Sequence, residues 1–431
     1  MTHNQLITCG ICNTEINIRA QIGYFNIPFN LYCPNCSTHI SGKLVIDQEK
    51  TGLALELENA HETSNADHGL DVKYYIAELS AEFPTRKIHN RTLKEYDLSP
   101  FMRNFMFYKD NQKAMEATRS AVAFADFIKT DWSKTKSYFA LFWNEQGSIL
   151  YPKLQDKVKK YKQIPLSKIT NDLDAAVALH QLLLTTTGIS YVLHPNALSE
   201  YSEIAKSIFC DMSKLGEIIT FINEQGFDPN DIEKKAFELI DVFAKIYNQL
   251  IPVVALKNAD CMDNVDREQF GIMTANFNEL TDFYAKSYEW ILDNINIVIC
   301  LNNILTRGQY SRCIDGKDYK DVLSARSKLK KLEFINASEP FSKSTISLSN
   351  RIRNAIQHFD REIDYVSQKI VFSDKHAGKT KKEELYLIDF AALCLENFSM
   401  IIYLLELVYN LRKVSLISQG IAPSFINDTS R

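Results

Sequence analysis

Four cysteines near the N-terminus constrain the fold of this chain more than any other feature of its sequence. They form two Cys-x2-Cys pairs, Cys9-Gly-Ile-Cys12 and Cys33-Pro-Asn-Cys36, with twenty residues between the pairs. This is the spacing of a tetrahedral site in which two tight turns each supply two thiolates to one zinc ion. Because cysteine fills all four positions, no coordination position is left for a substrate. The pattern therefore predicts a structural Zn2+ ion rather than a catalytic one.

The alternative interpretation of these cysteines is a pair of disulfides, which a reducing cytoplasm disfavours. Short alternating runs at residues 43–47 and 53–58 are typical of β-strands. Residues 1–60 resemble the zinc ribbon family, which are small β-rich domains. The sequence leaves open whether this ribbon contacts nucleic acid or protein, senses a trigger, or only stabilises the chain.

The remainder of the chain is predicted to be mainly α. Its 431 residues predict two or three domains. Only 14 glycines and 11 prolines occur, and apolar residues recur every three or four positions over long stretches. We expect a linker with one candidate strand at 61–95, a helical region of unknown role at 96–240, a helical bundle at 241–414 and a flexible tail at 415–431.

The net charge and the hydropathy pattern limit what the protein can bind and where in the cell it is expected. The net charge of −4 argues against general coating of nucleic acid, although it allows a local basic groove. The N-terminus lacks the basic and apolar regions of a secretory signal. Charged and polar residues interrupt the two most apolar segments before about 18 apolar residues accumulate. We therefore expect a cytoplasmic protein that does not span a membrane.

A second informative segment is residues 349–362, which we interpret as one helix capped by Ser344 and continuing past His358. At 3.6 residues per turn, Ile352, Ala355, Ile356, Phe359 and Ile363 share one face. The opposite face carries Arg353, Asn354, Gln357, His358 and Arg361. Arginine binds phosphate through a forked set of donors, and histidine titrates near neutral pH. This face is the candidate site, with a solvated polar surface or a dimer interface as the alternatives.

Other candidate features carry less information. Lys328, Lys330 and Lys331 precede the motif segment and could guide a polyanion. Gly378-Lys-Thr380 lacks the preceding glycine and following helix of a phosphate-binding P-loop. Aromatic residues of the central region are more often core than stacking platforms; they are Trp132, Tyr138, Phe139, Phe142 and Trp143. Five further cysteines are interpreted as small buried hydrophobic residues, namely Cys210, Cys261, Cys300, Cys313 and Cys394.

The run Ile352-Arg-Asn-Ala-Ile-Gln-His-Phe359 resembles the signature of the HEPN superfamily, in which an arginine, a polar residue and a histidine share one helix. The predicted order also fits, because a long helix, a shorter helix at about 318–333, the motif helix and a closing apolar helix at about 387–412 would form a four-helix bundle. A β-hairpin inserted before the closing helix departs from the minimal bundle. The resemblance covers roughly residues 240–412.

The resemblance implies a metal-independent endoribonuclease that acts as a toxin or abortive-infection effector against phage. Its catalytic residues would be Arg353, Asn354 and His358, and Gln357 and Arg361 would contact substrate. Its products would carry 2′,3′-cyclic phosphate and 5′-hydroxyl ends. Its partners would be RNA, a second copy of the chain or a higher oligomer, and an antitoxin or trigger. The alternatives are a non-catalytic RNA- or nucleotide-binding module and a regulatory interaction protein.

Overall fold

The computed structural model describes residues 1–47, 52–64, 71–95, 97–108, 110–160, 166, 168–186, 188–193, 197–336, 339–345, 348–376 and 379–424. The chain divides into two compact units, each assembled from three separate segments. Unit 1 comprises Met1–Ala121, Val242–Ala285 and Ser349–Glu396. Unit 2 comprises Val122–Asp241, Lys286–Leu348 and Asn397–Arg431. These units differ from the consecutive domains that the sequence suggested.

The N-terminal part of unit 1 is a set of short strands. They are β1 (Thr2–Cys9), β2 (Glu15–Gln21), β3 (Ile27–Tyr32), β4 (His39–Asp47), β5 (Gly52–Glu58), β6 (Ala60–Thr63), β7 (Lys73–Ser80), β8 (Thr85–Arg86) and β9 (His89–Thr92). A five-stranded sheet has the order β6-β1-β2-β7-β9, and β3, β4 and β5 form a three-stranded antiparallel sheet. The strands predicted at 43–47 and 53–58 are confirmed.

Apolar side chains from both sheets form the core of this region. Ile7 lies opposite Ile16 across the antiparallel β1–β2 pair, and Ile18 pairs with Ala77 across the parallel β2–β7 pair. All four side chains are buried together with Phe29 from β3. Strands β7 and β9 therefore belong to the same sheet as β1, which ends at Cys9, whereas β8 pairs with a later strand at residues 270–271. Strand β7 confirms the candidate strand that the sequence placed in the 61–95 linker. Strand alternation identifies such a segment but not its partner.

A buried group of charged side chains fixes the end of β7. Glu78 is fully buried and accepts hydrogen bonds from Arg103 at 2.6 and 3.1 Å and from Arg19 at 2.7 Å. Asp97 lies 3.1 Å from Arg103 and 3.3 Å from Arg91. Because isolated charges are costly to bury, these carboxylates and guanidinium groups depend on each other.

Helices form most of the rest of the chain, which confirms the mainly α prediction. The first eight are α1 (Pro100–Asn104), α2 (Asn111–Thr130), α3 (Trp132–Trp143), α4 (Gly147–Lys160), α5 (Asp172–Gln181), α6 (Ala197–Phe209), α7 (Met212–Gln225) and α8 (Pro229–Asn258). Trp132, Tyr138 and Phe139 are buried in unit 2, as the core interpretation predicts. Gly226 ends α7 in the left-handed region, with φ of 62°.

The C-terminal half combines two long helices with a small sheet. Its elements are β10 (Phe270–Gly271), α9 (Phe277–Arg307), α10 (Tyr319–Leu323), α11 (Asn350–Gln357), β11 (Arg361–Asp364), β12 (Lys369–His376), β13 (Lys379–Tyr386) and α12 (Leu387–Ser418). The closing apolar helix is confirmed. The shorter helix predicted near 318–333 is instead α10 followed by a 3-10 helix, Lys328–Phe334. The predicted hairpin is a three-stranded antiparallel sheet, β11-β12-β13.

Three helical stretches are long and apolar enough to cross a membrane by length and composition alone. They are Asp172–Val192, Pro229–Asn258 and Leu387–Ser418. The criterion of about 18 uninterrupted apolar residues did not detect these stretches, because charged or polar residues interrupt each of them. Between 67% and 78% of their apolar windows is buried inside the protein, so packing already accounts for much of their apolar character. The prediction that the chain spans no membrane stays a prediction.

The remaining cysteines follow the sequence interpretation with one exception. Cys261, Cys300, Cys313 and Cys394 are buried. Cys210 is exposed near the end of α6, so its interpretation as a buried residue was wrong. The Gly378-Lys-Thr380 triplet lies partly outside the described residues.

Candidate functional site

Two β-hairpins of unit 1 present the four N-terminal cysteines. In the first, the Cys9 N–H donates to the carbonyl of Thr14 at 3.0 Å, and the Asn13 N–H donates to the carbonyl of Cys9 at 3.0 Å. Asn13 has φ of 58°, a left-handed conformation that asparagine tolerates well. This tight turn directs the Cys9 and Cys12 side chains towards each other.

The second hairpin repeats the backbone pattern of the first. The Cys33 N–H donates to Thr38 at 2.9 Å, the Ser37 N–H donates to Cys33 at 2.9 Å, and Ser37 has φ of 57°. All four sulfur atoms lie within 4.8 Å of one another and could hold a metal ion. The prediction from the spacing that these four cysteines lie close together is therefore confirmed.

A threonine hydroxyl contacts the second sulfur of each pair. Thr14 Oγ1 lies 3.1 Å from Cys12 Sγ and lowers the pKa of that thiol to about 6. Thr38 Oγ1 makes the same contact with Cys36 at 3.1 Å and also lowers its pKa. Burial instead raises the pKa of Cys33 to about 12. The two hydroxyls stabilise the thiolate form, which is the form that binds metal.

The motif helix α11 begins one residue after Ser349. The Ser349 hydroxyl accepts the N–H of Ile352 at 3.3 Å and donates to the Glu383 carboxylate at 2.9 Å. Its backbone N–H donates to the hydroxyl of Tyr284 at 3.1 Å. The prediction that Ser344 caps this helix was wrong, because residue 344 belongs to a separate 3-10 turn, Pro340–Thr345. Ser349 both starts the helix and attaches it to β13.

Helix α11 ends at Gln357, so the prediction that it continues past His358 was wrong. The Asp360 N–H donates to the carbonyl of Ala355 at 2.9 Å, and the Phe359 N–H donates to that of Ile356 at 3.3 Å. These two bonds define a Schellman motif, in which the residue after the C-cap adopts a left-handed conformation. That residue is Phe359, with φ of 57°. The chain reverses there and continues as β11.

Arg353, Asn354, Gln357 and His358 remain on the helix or at its C-cap, as the sequence predicted. The Arg353 guanidinium donates to Asn354 Oδ1 at 3.1 Å, and Asn354 Nδ2 lies 3.5 Å from Asp374 on β12. Gln357 and His358 are exposed, whereas Arg353 and Asn354 are half-buried. The opposite face buries Ile352, Ala355 and Ile356, and β12 and β13 pack against the helix. The sheet thus supports a short helix whose polar residues face solvent.

Arg361 occupies a different position from the one that helical periodicity predicted. It lies on β11, and its guanidinium donates to the carbonyl of Ile356 at 2.9 Å. Its Cζ atom lies 5.4 Å from the ring centre of Phe359 and 5.9 Å from that of Phe277. Burial lowers the pKa of this guanidinium.

Arg361 lines a groove of about 280 Å3 in unit 1 that the sequence did not reveal. The groove is lined by Tyr32, Phe277, Asn278, Phe359, Arg361, Ile363 and Tyr365. Its residues come from three distant parts of the chain, so no local spacing could have identified them. Side chains alternate between half-buried and exposed along Arg361–Asp364, but Ile363 is the one apolar residue of this strand, so the sequence has no apolar alternation that would predict it.

The lysines proposed to guide a polyanion belong to unit 2, whereas α11 belongs to unit 1. Lys328 forms ion pairs with Asp293 at 2.5 Å and Glu289 at 3.1 Å, and its pKa is raised by the hydrogen bond to Asp293. Burial lowers the pKa of Lys331, and Lys330 is exposed. The charge of Lys328 is therefore balanced within its own unit.

No protein-family model, curated protein or solved structure matches this chain. Functional inference therefore rests on the chemistry of its two candidate sites: the four-cysteine cluster and the exposed polar face of α11.

Proposed function

We propose that the protein is a metal-independent endoribonuclease of the HEPN type. The observation that carries this proposal is the polar face of α11, where the Arg353–Asn354 pair lies on the helix and the exposed His358 lies at its C-cap. A guanidinium that binds phosphate and an imidazole that exchanges protons are the groups that RNA cleavage without a metal requires.

The proposed reaction is an internal transesterification of RNA. The ribose 2′-oxygen forms a bond to phosphorus as the bond from phosphorus to the 5′-oxygen breaks. His358 accepts the proton of the 2′-hydroxyl, and a second imidazole donates a proton to the departing 5′-oxygen. Arg353 binds the phosphate and stabilises the charge that develops on its oxygens, while Asn354 orients Arg353. The products carry 2′,3′-cyclic phosphate and 5′-hydroxyl ends.

A second imidazole is needed, and one motif helix contains a single histidine. We therefore propose a homodimer, or a higher oligomer, in which two copies of α11 meet and each supplies one His358. The four-helix bundle of the HEPN superfamily is also part of this proposal. Helices α9 and α12 have the lengths of bundle helices, whereas α11 has eight residues and packs on a sheet.

We further propose that the metal in the four-cysteine cluster is zinc and that it is structural. A tetrahedral centre with Zn–S bonds of about 2.3 Å separates its sulfurs by about 3.8 Å. The Cys9 and Cys36 sulfurs lie 3.7 Å apart, and the Cys12 and Cys33 sulfurs lie 3.5 Å apart. Both distances are far beyond a disulfide bond of about 2.05 Å. Four thiolates would hold the ion without an open position for substrate.

As a nuclease that harms its own cell, the protein would serve as a toxin or an abortive-infection effector in the cytoplasm. Such an enzyme needs restraint, which an antitoxin or a phage-derived trigger would provide. The proposed catalytic residues lie outside the helical region at 96–240 and outside the zinc-binding region. We therefore propose that these two regions detect the antitoxin or the trigger.

The test is expression of the wild type and His358→Ala, followed by sequencing of RNA 5′-hydroxyl ends and cleavage assays in EDTA. The proposal expects growth arrest and new 5′-hydroxyl ends with the wild type only. A non-catalytic RNA-binding module would leave RNA uncleaved with the wild type, while it retains RNA equally with His358→Ala and less with Arg353→Ala. A regulatory interaction protein would show no RNA affinity and would purify with another protein. Either of these results would reject the nuclease assignment.

A further inference from the structure

Phe359 combines two unfavourable features at one position. It is 81% exposed, and it occupies the left-handed position of the Schellman motif, where glycine is the usual residue. A side chain with a Cβ is strained in this conformation, and an exposed aromatic ring gains little from burial. Backbone strain that folding does not explain is a recognised mark of functional sites. Phe359 also directly follows His358.

The groove beside Phe359 contains a guanidinium held in a fixed position. The carbonyl of Ile356 and the rings of Phe359 and Phe277 hold Arg361 in place. Across the described ranges of the chain, Arg361 has no carboxylate within ion-pair distance. The exposed side chain of Asn278 adds an amide donor and acceptor to the lining.

Two tyrosines form another wall of the groove. The rings of Tyr32 and Tyr365 stack with centroids 4.0 Å apart and an interplanar angle of 12°. Tyr32 ends β3 immediately before Cys33, and Tyr365 follows β11. The groove therefore has aromatic surfaces together with a cation and an amide, and its polar groups are suited to a flat heterocycle.

We propose that this groove binds one unpaired nucleobase of single-stranded RNA, with the base stacked on Phe359 and Arg361. This inference rests on the proposed function and extends it, because it names the form of RNA that the site accepts. Aromatic rings and arginine planes are the common platforms for unstacked bases. A volume of about 280 Å3 is near the lower end of small-molecule pockets, which suits one base better than a protein segment.

The test measures binding apart from cleavage. All proteins carry His358→Ala, and the ligand is a fluorescent single-stranded RNA of about ten nucleotides. A second ligand has the same backbone but lacks its bases. We expect Phe359→Ala to weaken binding of the first RNA about 5- to 150-fold, and to leave binding of the abasic ligand unchanged. Phe359→Trp keeps an aromatic stacking surface at this position and should therefore retain most of the affinity of the parent protein for the first RNA.

The matched control is Tyr24→Ala, which removes another aromatic ring of unit 1 that is 70% exposed. It should leave the affinity for both ligands unchanged. Sedimentation of the same variants tests whether a second copy of the chain occupies the groove instead. If Phe359→Ala dissociates an oligomer without altering the preference for RNA over the abasic ligand, the groove is an interface and the proposal is overturned.

Failure of this inference and failure of the nuclease proposal are distinguishable. Base-dependent binding that requires Phe359 would support the groove even if the wild type cleaves no RNA. Conversely, RNA cleavage by a protein whose Phe359→Ala variant binds RNA and abasic ligand as the parent does would support the nuclease and reject the groove.

Discussion

The ring of Tyr32 stacks on the ring of Tyr365 at a centroid distance of 4.0 Å. The first tyrosine directly precedes Cys33, a member of the cysteine cluster. The second lies on the segment that leaves the motif helix. The His39 ring also lies 6.1 Å from that of Tyr365. Ring contacts therefore connect the second cysteine hairpin to the groove, so a metal in the cluster would influence the proposed RNA binding.

We predict that Cys33→Ser releases the metal and weakens RNA binding at the groove. Loss of one thiolate should lower the free energy of unfolding by about 4 kcal/mol or more, because metal binding contributes directly to folding in small thiolate sites. Metal content and urea unfolding measure these effects. Cys210→Ser, at an exposed thiol outside the cluster, is the control. One metal ion per chain and unchanged stability in Cys33→Ser would contradict the assignment.

We predict that Phe359→Gly increases stability while it weakens RNA binding, as Phe359→Ala does. Relief of the left-handed strain should raise the free energy of unfolding by up to about 1 kcal/mol, after allowance for the greater entropy of glycine in the unfolded chain. Gly226→Ala provides the reciprocal control, because glycine already occupies that left-handed position with φ of 62°. Gly226→Ala should lower the free energy of unfolding by about 1 kcal/mol. Equal loss of stability in both variants would show that Phe359 is unstrained.

The two arginines of α11 permit a matched comparison of catalysis. Arg353 bonds to Asn354, whereas Arg351 lies 3.7 Å from Glu383. Arg353→Ala should reduce single-turnover RNA cleavage about 100- to 1,000-fold, the usual effect of removing a group that stabilises transition-state charge. Arg351→Ala should retain cleavage within about threefold, since it removes only a partly exposed ion pair. Similar losses in both variants would indicate a general charge effect or a folding defect.

The buried carboxylates of unit 1 predict an acid-sensitive fold. Burial alone would raise the pKa of Glu78, but the hydrogen bonds and charge of Arg103 outweigh it and hold that pKa below 4.5. The pKa of Asp97 is likewise lowered from 3.8 despite burial, chiefly by Arg103. A carboxylate with a lowered folded-state pKa stabilises the protein above its unfolded pKa. That stabilisation is lost as the pH falls through the folded-state pKa.

Stability should therefore decrease steeply below about pH 4.5, as measured by urea unfolding across pH. Arg103→Met leaves Glu78 buried without its main partner and should cost about 3 to 5 kcal/mol at pH 7. Asp71→Asn, which removes only an exposed pair with Lys94, should change stability by less than about 1 kcal/mol. A pH profile of Arg103→Met that is as steep as that of the wild type would contradict the role of this network.

The sequence revealed features whose residues are close together along the chain. Two short-range pairs located the cysteine cluster, and 3.6-residue periodicity located α12 and the buried face of α11. Periodicity failed at Phe359, because a phenylalanine in a left-handed turn gives no local signal that a glycine would have given. Because α11 ends before Phe359, the prediction that Arg361 lies on the polar face of this helix was also wrong.

Contacts between distant segments were beyond the sequence for a different reason. The stacking of Tyr32 on Tyr365 and the parallel pairing of β2 with β7 depend on the complete fold. Apolar alternation predicts that a strand has a buried face but does not specify which neighbour covers it. The Lys328 cluster illustrates the same limit, since the carboxylates that neutralise Lys328 lie some 35 residues earlier, on α9.

The division of each unit among three segments has a consequence for synthesis of the protein. Unit 1 joins residues 1–121 to residues 242–285 and 349–396. Apart from β8, its N-terminal strands find their partners within the first 92 residues, but the unit is complete only after most of the chain has been made. The groove would form only after Tyr365 leaves the ribosome and meets Tyr32. Until that point a nascent chain would lack RNA affinity at this site, so the proposed ribonuclease would not bind RNA there while most of it is being translated.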